Sequence, residues 1–333
     1  MHQDKPDEQL GLFPSEEPGT AWRAVAPAAP PPGAAEVAER LPPGVRLGAS
    51  SWSFPGWHGT VYDRPVGEAT LAREGLHAYA AHPLLRTVGL DRTRVRPLPA
   101  TELRGYAASV PADFRFVVEA DRLVTSPLDP EPFGTRAPNP RFLDASYAAD
   151  AVVGPVVEGL GDRAGPILFQ IAPFPPNLVG GRSRFLRRLE RFLQKLPEGP
   201  VYAVELRAPA LLTEAYAQVL EATGAAHCFN VHPSMSPLER QLALIQPFYQ
   251  PVLLVRWTQR AGMAYEAARE RYAPFDRLVE EDPATREIVA TTVLDAALGE
   301  REAYVLADNE AEGSAPLTLF RLAERIAGWS PLD

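Results

Sequence analysis

The sequence predicts an α/β protein, a single (β/α)8 barrel of the TIM type, and three observations favour it. Short, nearly continuous apolar runs alternate with amphipathic helical runs from residue 45 to the end of the chain. Eight strand-then-helix units fit into roughly 290 residues, which is typical of such a barrel. No Gly-x-Gly-x-x-Gly motif follows an early strand, so the open, doubly wound sheet of a dinucleotide-binding fold is disfavoured.

The units follow one another along the chain with short connections. Strands are predicted at 45–49, 84–90, 113–120, 165–172, 200–207, 225–231, 251–257 and 302–308. Helices are predicted at 68–81, 100–109, 141–159, 182–196, 210–222, 237–245, 285–298 and 316–328. The segment between the seventh strand and its helix is predicted to be a long loop.

The N-terminal residues 1–44 differ in composition from the rest. They are rich in proline, alanine and acidic residues, and periodicity begins only at AAEVAER, just before the first strand. This composition predicts a disordered leader, followed by one barrel domain over 45–333. The segment PAAPPPG at 27–33 is either a polyproline II ligand for an unknown partner protein or a solvated stretch without one.

Charge and cysteine content exclude several classes of protein. The net charge of −9 leaves no broad basic surface for duplex nucleic acid or an anionic membrane. Cys228 is the only cysteine, which excludes an intrachain disulfide and a cysteine-clustered zinc site. No apolar run approaches 18 residues and the first residues lack a signal-peptide pattern, so no membrane contact and a cytoplasmic location are predicted.

Polar residues at strand ends predict a site, because the functional face of such a barrel lies at the carboxyl ends of its strands. Strand alternation places Glu205 and Arg207 on one face of the fifth strand. The same count assigns Gln170, Arg256 and Asn309 to the barrel mouth. We therefore expect these five side chains to converge on a small polar ligand.

Residue type suggests a role for each of these groups. Glu205 is the candidate catalytic acid or base. Arg207 and Arg256 are candidates for holding a phosphate or carboxylate, with Gln170 and Asn309 positioning the substrate. The alternative is that Glu205 and Arg207 form an ion pair with a structural role only, in the packing of side chains inside the barrel.

Aromatic residues follow the first strand closely. Trp52 and Trp57 are predicted to form a substrate-binding platform for a sugar or ring; alternatively, they plug one end of the barrel. Four residues near strand ends are of types that ligate metals: Glu119, Glu205, His232 and Asp308. No two of them have the short sequence spacing of a typical ligand pair. No metal is therefore assigned, and the cofactor is unknown.

Six motifs in order carry a resemblance over about residues 45–328: LGASSWSFPGWHGTVY, PADFRFVVEADRLVT, GPILFQIAPFPP, YAVELR, LLVRW and DNEAEGSAP. As a set they resemble the YecE-like family (domain of unknown function 72), bacterial TIM-barrel proteins described as related to sugar isomerases. The resemblance implies the barrel and supplies no established activity. Residues that match the family's pattern are Gly48, Ser50 or Ser51, Trp52, Trp57, Gly59, Phe169, Gln170, Glu205, Arg207, Arg256, Asn309 and Gly313.

Several positions depart from the family's pattern. The second-strand Val-Glu-x-Asn is here Val88-Gly89-Leu90-Asp91, so the glutamate is missing and Asp91 is taken as a substrate-binding residue. The third-strand lysine is Glu119, and the His-Gly after the seventh-strand arginine is Thr258-Gln259. These exchanges indicate either a changed substrate or a pocket that has lost catalysis.

Three functions remain open from the sequence. The first is an isomerase- or hydrolase-like enzyme for a small polar molecule, carbohydrate-like or phosphorylated. The second is a non-catalytic ligand-binding or scaffold protein with a degenerate barrel site, and the third a metal-dependent nuclease. The arginines of the fourth helix, Arg182, Arg184, Arg187, Arg188 and Arg191, are interpreted as a solvated helix face rather than a nucleic-acid patch.

Overall fold

The computed structural model describes residues 24–130, 137–260 and 262–328. Across this part of the chain eight parallel strands form a closed barrel in sequence order, and the last strand pairs back to the first. The strands are β1 Val45–Ala49, β2 Leu85–Leu90, β3 Arg115–Glu119, β4 Ala164–Ile171, β5 Tyr202–Leu206, β6 Ala226–Val231, β7 Leu253–Trp257 and β8 Ala303–Ala307. The predicted α/β barrel is thereby confirmed.

Helices surround the barrel and join successive strands. They are α1 Ala34–Arg40, α2 Glu68–Glu74, α3 Leu76–Ala80, α4 Arg92–Val95, α5 Ala100–Ala108, α6 Arg122–Thr125, α7 Ala145–Ala148, α8 Gly154–Leu160, α9 Arg182–Gln194, α10 Glu214–Thr223, α11 Leu238–Leu244, α12 Tyr265–Tyr272, α13 Pro283–Leu298 and α14 Ala315–Ala327. A π-helical turn at Ala149–Val153 joins α7 to α8. The expected helix over 68–81 is two short helices, α2 and α3, that meet at Gly75.

Two layers of apolar side chains follow the alternation of the strands. Inside the barrel, Leu168, Ala203, Cys228 and Leu254 belong to one buried cluster. Their neighbours along the strands pack outward against the helices in a second, larger cluster. Residues two positions beyond the inner set, Gln170, Glu205, Asn230 and Arg256, therefore form the next layer toward the carboxyl ends of the strands.

Residues 24–44 are ordered, which corrects the expectation that the whole segment 1–44 is disordered. The run AAEVAER forms α1, which buries Ala34 and Val37. Val25 is also buried, and the Ala28 backbone N–H donates to the Val61 carbonyl at 3.0 Å. Burial of these apolar side chains offsets the cost of ordering the segment. The remainder of the predicted leader, residues 1–23, lies outside the described residues.

The connection after β7 also differs from its prediction as a loop. Residues Tyr265–Tyr272 form α12, which buries Ala268 and Tyr272 at a spacing of four. One buried stripe on a short, charged helix gives little hydrophobic periodicity in sequence, which explains why the pattern did not predict it. In the described part of the chain, no helix has the length and apolar character needed to cross a membrane.

Candidate functional site

A cavity of about 730 Å³ opens at the carboxyl ends of the strands. Its floor and walls include residues at the ends of seven strands: Ser50, Asp91, Glu119, Gln170, Arg207, Arg256 and Asp308. His232, after β6, and two loops complete it. This is the face on which barrels of this type carry their functional groups.

Arg256 is the most highly connected side chain of the floor. It is 5% exposed and projects from β7 on the inner face. One terminal nitrogen, Nη1, donates to Glu205 Oε2 at 2.8 Å and to Gln170 Oε1 at 3.0 Å. The other, Nη2, lies 2.8 Å from Glu119 Oε1. Three partners from three other strands therefore hold the guanidinium in one orientation.

Glu205 lies beneath this floor rather than in the cavity wall. It is completely buried and does not line the cavity. Its second oxygen, Oε1, lies 2.6 Å from Arg207 Nε, so each carboxylate oxygen faces a different guanidinium. Burial raises the pKa of Glu205, but Arg207 and Arg256 outweigh burial and hold that pKa below its ordinary value.

The role of Glu205 as catalytic acid or base stays a prediction, and this placement argues against it. A carboxylate with no surface toward the cavity and a lowered pKa is neither accessible to a ligand nor a good proton donor near neutral pH. Its contacts instead position Arg256 and Arg207. Both arginines line the cavity, together with Gln170 and the exposed Asp91.

Asp308 reaches the cavity where Asn309 was expected. Along β8, Tyr304 and Leu306 belong to the inner cluster, so the alternation carries Asp308 inward and Asn309 outward. Burial raises the pKa of Asp308 to about 7, although the nearby Arg256 acts to lower it. A partly exposed carboxyl group that titrates near neutral pH therefore faces the cavity.

His232 is the imidazole at the edge of the cavity. Its Nδ1 accepts the Ser234 backbone N–H at 3.1 Å, which places the ring proton on Nε2. Burial and the adjacent Arg207 lower the pKa of His232 to about 4. The ring is consequently neutral at physiological pH.

Trp52, Trp57 and Asn309 were predicted to bind substrate, but the structure does not place them in the lining of the cavity. Trp52 is buried and its Nε1–H donates to the Leu71 carbonyl at 3.1 Å. Trp57 is also buried and donates from Nε1 to Asn309 Oδ1 at 2.9 Å. Because Asn309 Oδ1 also accepts the Ala315 backbone N–H at 2.9 Å, this pair connects the β1 loop to the start of α14.

Two loops line the cavity mouth, and only the β1 loop was predicted to contribute. Phe54 and Gly56 of the β1 loop line it together with Pro274 and Phe275 from the segment after α12. A Cβ atom at Gly56 would lie 1.8 Å from the Pro274 carbonyl oxygen, so only glycine permits this approach. The signal available in sequence was the length of the connection after β7, since long loops at this face commonly carry function.

The described residues do not form a set of metal ligands. In residues 24–130, 137–260 and 262–328, no group of three or more His, Cys, Asp or Glu side chains is arranged to hold a metal ion. Of the set weighed from sequence, Glu119 and Glu205 are paired with Arg256 instead.

Comparison with known proteins agrees with this architecture. The family described as "Protein of unknown function DUF72" matches residues 46–330. The chain belongs to the DUF72 family. No curated protein matches it.

Solved structures of DUF72 family proteins share the fold. One from Enterococcus faecalis V583 has a TM-score of 0.59 at 18% sequence identity, covering 86% of this chain and 96% of that chain. Another from Thermotoga maritima MSB8 has a TM-score of 0.57 at 17% identity, covering 84% of this chain and 98% of that chain. At such identities the likeness concerns the barrel and does not extend to an activity.

Proposed function

We propose that this DUF72 protein is an enzyme that performs acid–base chemistry on a small, neutral, carbohydrate-like molecule bound in the barrel-mouth cavity. The observation that carries the proposal is the charge balance of the floor. The guanidiniums of Arg256 and Arg207 are matched by the carboxylates of Glu119 and Glu205 at distances of 2.6–2.8 Å.

This balance favours a neutral ligand over a phosphorylated one. An anionic ligand would need cationic charge that is not already compensated, whereas Arg256 and Arg207, the two arginines of the floor, have carboxylate partners. A polyhydroxylated molecule instead needs donors and acceptors side by side. The cavity offers both, from Arg256, Gln170, Ser50 and Thr258.

Asp308 is the group best suited to move a proton. It lines the cavity, and its pKa of about 7 allows it both to accept and to donate a proton near neutral pH. Arg256 is held rigidly beside it and would stabilise negative charge that develops on a substrate oxygen. Glu205 acts through the arginines as a positioning residue.

Thermal unfolding in the presence of ligand pairs that differ only by a phosphate group tests this function. Each neutral sugar or polyol is compared with its own phosphate, and divalent metals and nucleotides complete the panel. A ligand at 100 times its dissociation constant should stabilise by about 2.7 kcal/mol. We expect a neutral sugar that binds to raise the unfolding temperature, and the phosphate of that sugar to raise it no further.

Two variants separate binding from catalysis. Asp308→Asn should retain the ligand-induced shift and lose turnover, whereas Asp150→Asn, on an exposed position of the π-helical turn, should retain both. A shift produced only by phosphorylated ligands would refute the neutral-ligand argument. Turnover retained in Asp308→Asn would remove Asp308 from the mechanism.

A non-catalytic binding protein is the second candidate, and Gly89 favours it. The family's pattern has a glutamate at this position of β2, and a Cβ at Gly89 would lie 2.7 Å from the Ser50 carbonyl oxygen. The backbone of Ser50, just after β1, thus occupies the space into which that side chain would extend. Ligand-induced stabilisation without turnover in the unaltered protein would support this alternative.

A further inference from the structure

A second groove of about 720 Å³ lies on the outside of the barrel, between α9 and the start of α7. Five cationic side chains line it: Arg184, Arg187, Arg188, Arg191 and Lys195. The carboxylate among its lining residues is Asp144, whose Oδ1 accepts the backbone N–H groups of Ser146 and Tyr147. On a chain with net charge −9, this is a local concentration of positive charge.

Within the described part of the chain the positive charge of the groove is compensated only in part, by Asp144, which acts on Arg188 without forming an ion pair. All five cations are exposed, and none has a carboxylate of the described residues within ion-pair distance. Arg188 is held in place, because it donates to the Phe142 carbonyl and its guanidinium lies 5.0 Å from the Phe142 ring centroid. Partial burial is the main cause that lowers the pKa of Arg188; the neighbouring Arg184 lowers it further, and Asp144 acts to raise it.

The cations follow one stripe of α9. Positions 184, 187 or 188, 191 and 195 recur every three or four residues, so successive side chains are about 5–6 Å apart. From 184 to 195 the stripe extends about 16 Å along the helix axis at a rise of about 1.5 Å per residue. A ligand that satisfies it must carry several negative charges in a row.

We propose that this groove binds a linear chain of phosphates, supplied either by inorganic polyphosphate or by the backbone of single-stranded nucleic acid. Arginine forks match phosphate oxygens, and a chain of phosphates carries a denser row of charge than the carboxylates of a peptide. The aromatic side chain in the lining, Phe192, is buried, so no ring is offered for base stacking. Recognition then depends on backbone charge, without base sequence.

Fluorescence anisotropy of a labelled single-stranded oligonucleotide, measured with the full chain, tests the proposal. The variant Arg187→Glu/Arg191→Glu is compared with the control Arg40→Glu/Arg240→Glu, which reverses two exposed arginines on α1 and α11. Both variants change the net charge equally. Arg188 is left unchanged because it packs on Phe142.

We expect the groove variant to bind roughly 50-fold more weakly at 50 mM salt, because each lost contact with a single strand removes about 0.7 of a released counterion. The slope of log affinity against log salt should become shallower by about 1.4, for two lost contacts. The control should match the unaltered protein in both quantities. Thermal unfolding of both variants verifies that they fold.

Competition identifies the source of the phosphates. Inorganic polyphosphate that displaces the oligonucleotide at lower phosphate concentration than an unlabelled strand would identify polyphosphate as the preferred ligand, and the reverse order would identify nucleic acid. Poly-aspartate that competes equally well would refute phosphate recognition. Equal losses in the groove variant and the control, or no binding by the unaltered protein, would overturn the site itself.

Discussion

Removal of the Arg256 guanidinium should destabilise the protein far more than the same substitution at an exposed ion pair. In Arg256→Met the carboxylate of Glu119 loses its arginine while remaining almost fully buried. Glu205 keeps Arg207 at 2.6 Å, so one carboxylate rather than two loses compensation. We therefore expect a loss of about 3 kcal/mol, at the lower end of the range for breaking a buried ion pair.

The matched control is Arg325→Met. Arg325 forms two contacts of 2.7 Å with Glu287, but both side chains are exposed, so its loss should cost less than about 1 kcal/mol. Urea unfolding followed by circular dichroism measures both variants under identical conditions. Glu119→Gln added to Arg256→Met should recover part of the loss, because the uncompensated charge is then removed.

Two results would contradict this reasoning. If Arg256→Met cost no more than Arg325→Met, the floor would be sufficiently hydrated that the contacts do not constrain it. If Glu119→Gln added further destabilisation to Arg256→Met, the loss would arise from packing rather than from an unpaired charge. The first result would also remove the rigid arginine on which the proposed chemistry depends.

Three other predictions concern single positions. Burial raises the pKa of Asp308 to about 7, above its value in the unfolded chain, so ionisation of Asp308 opposes folding. The free energy of unfolding should therefore fall as pH rises between about 4 and 7. Asp308→Asn should flatten that part of the curve of unfolding free energy against pH, and an unchanged curve would contradict the pKa shift. Asn309→Ala leaves the Trp57 Nε1–H and the Ala315 N–H without their shared acceptor. The variant should lose about 2 kcal/mol of stability in urea unfolding and should keep the ligand-induced stabilisation. Loss of that ligand response in a folded variant would indicate that Asn309 contributes to ligand binding. Gly89→Ala should destabilise the protein by about 1–3 kcal/mol, because the added Cβ would contact the Ser50 backbone. Gly105→Ala in α5, where a Cβ meets nothing within 4 Å, should stabilise it by about 0.5–1 kcal/mol. Changes in unfolding free energy of the same sign in both variants would refute the steric account.

The barrel was predictable because its signal is distributed over the whole chain. Each strand is an apolar run of suitable length, and eight of them with intervening helices leave few alternative architectures. Boundaries shifted by one or two residues at most strand ends without affecting the fold. The ordering of residues 24–44 was missed since it depends on burial of Val25, Ala34 and Val37 against the barrel domain, which composition does not show.

The site was less predictable because strand alternation predicts which face of the sheet a side chain lies on, but not whether that side chain reaches the cavity. Gln170, Glu205 and Arg256 all project from the inner face, yet Glu205 is covered by two arginines while the others reach the cavity. On β8 the structure places Asp308 in the cavity lining, whereas Asn309 was predicted there. By residue type, Tyr304–Leu306–Asp308 and Val305–Ala307–Asn309 are both plausible inner series. Tyr304 is accommodated inside because its hydroxyl donates to Glu302 at 2.7 Å, a contact that residue type alone does not predict.

Charge exchange on β3 connects the departures from the family's pattern to the ligand proposed here. The pattern has a lysine where this chain has Glu119, and Glu119 lies 2.8 Å from Arg256. A lysine ammonium in its place would repel that guanidinium and add positive charge to the floor, the arrangement suited to an anionic ligand. The exchange to glutamate instead cancels the charge of Arg256 and fixes its orientation. The pairing of Glu119 with Arg256 is therefore the contact on which the proposed preference for a neutral ligand depends.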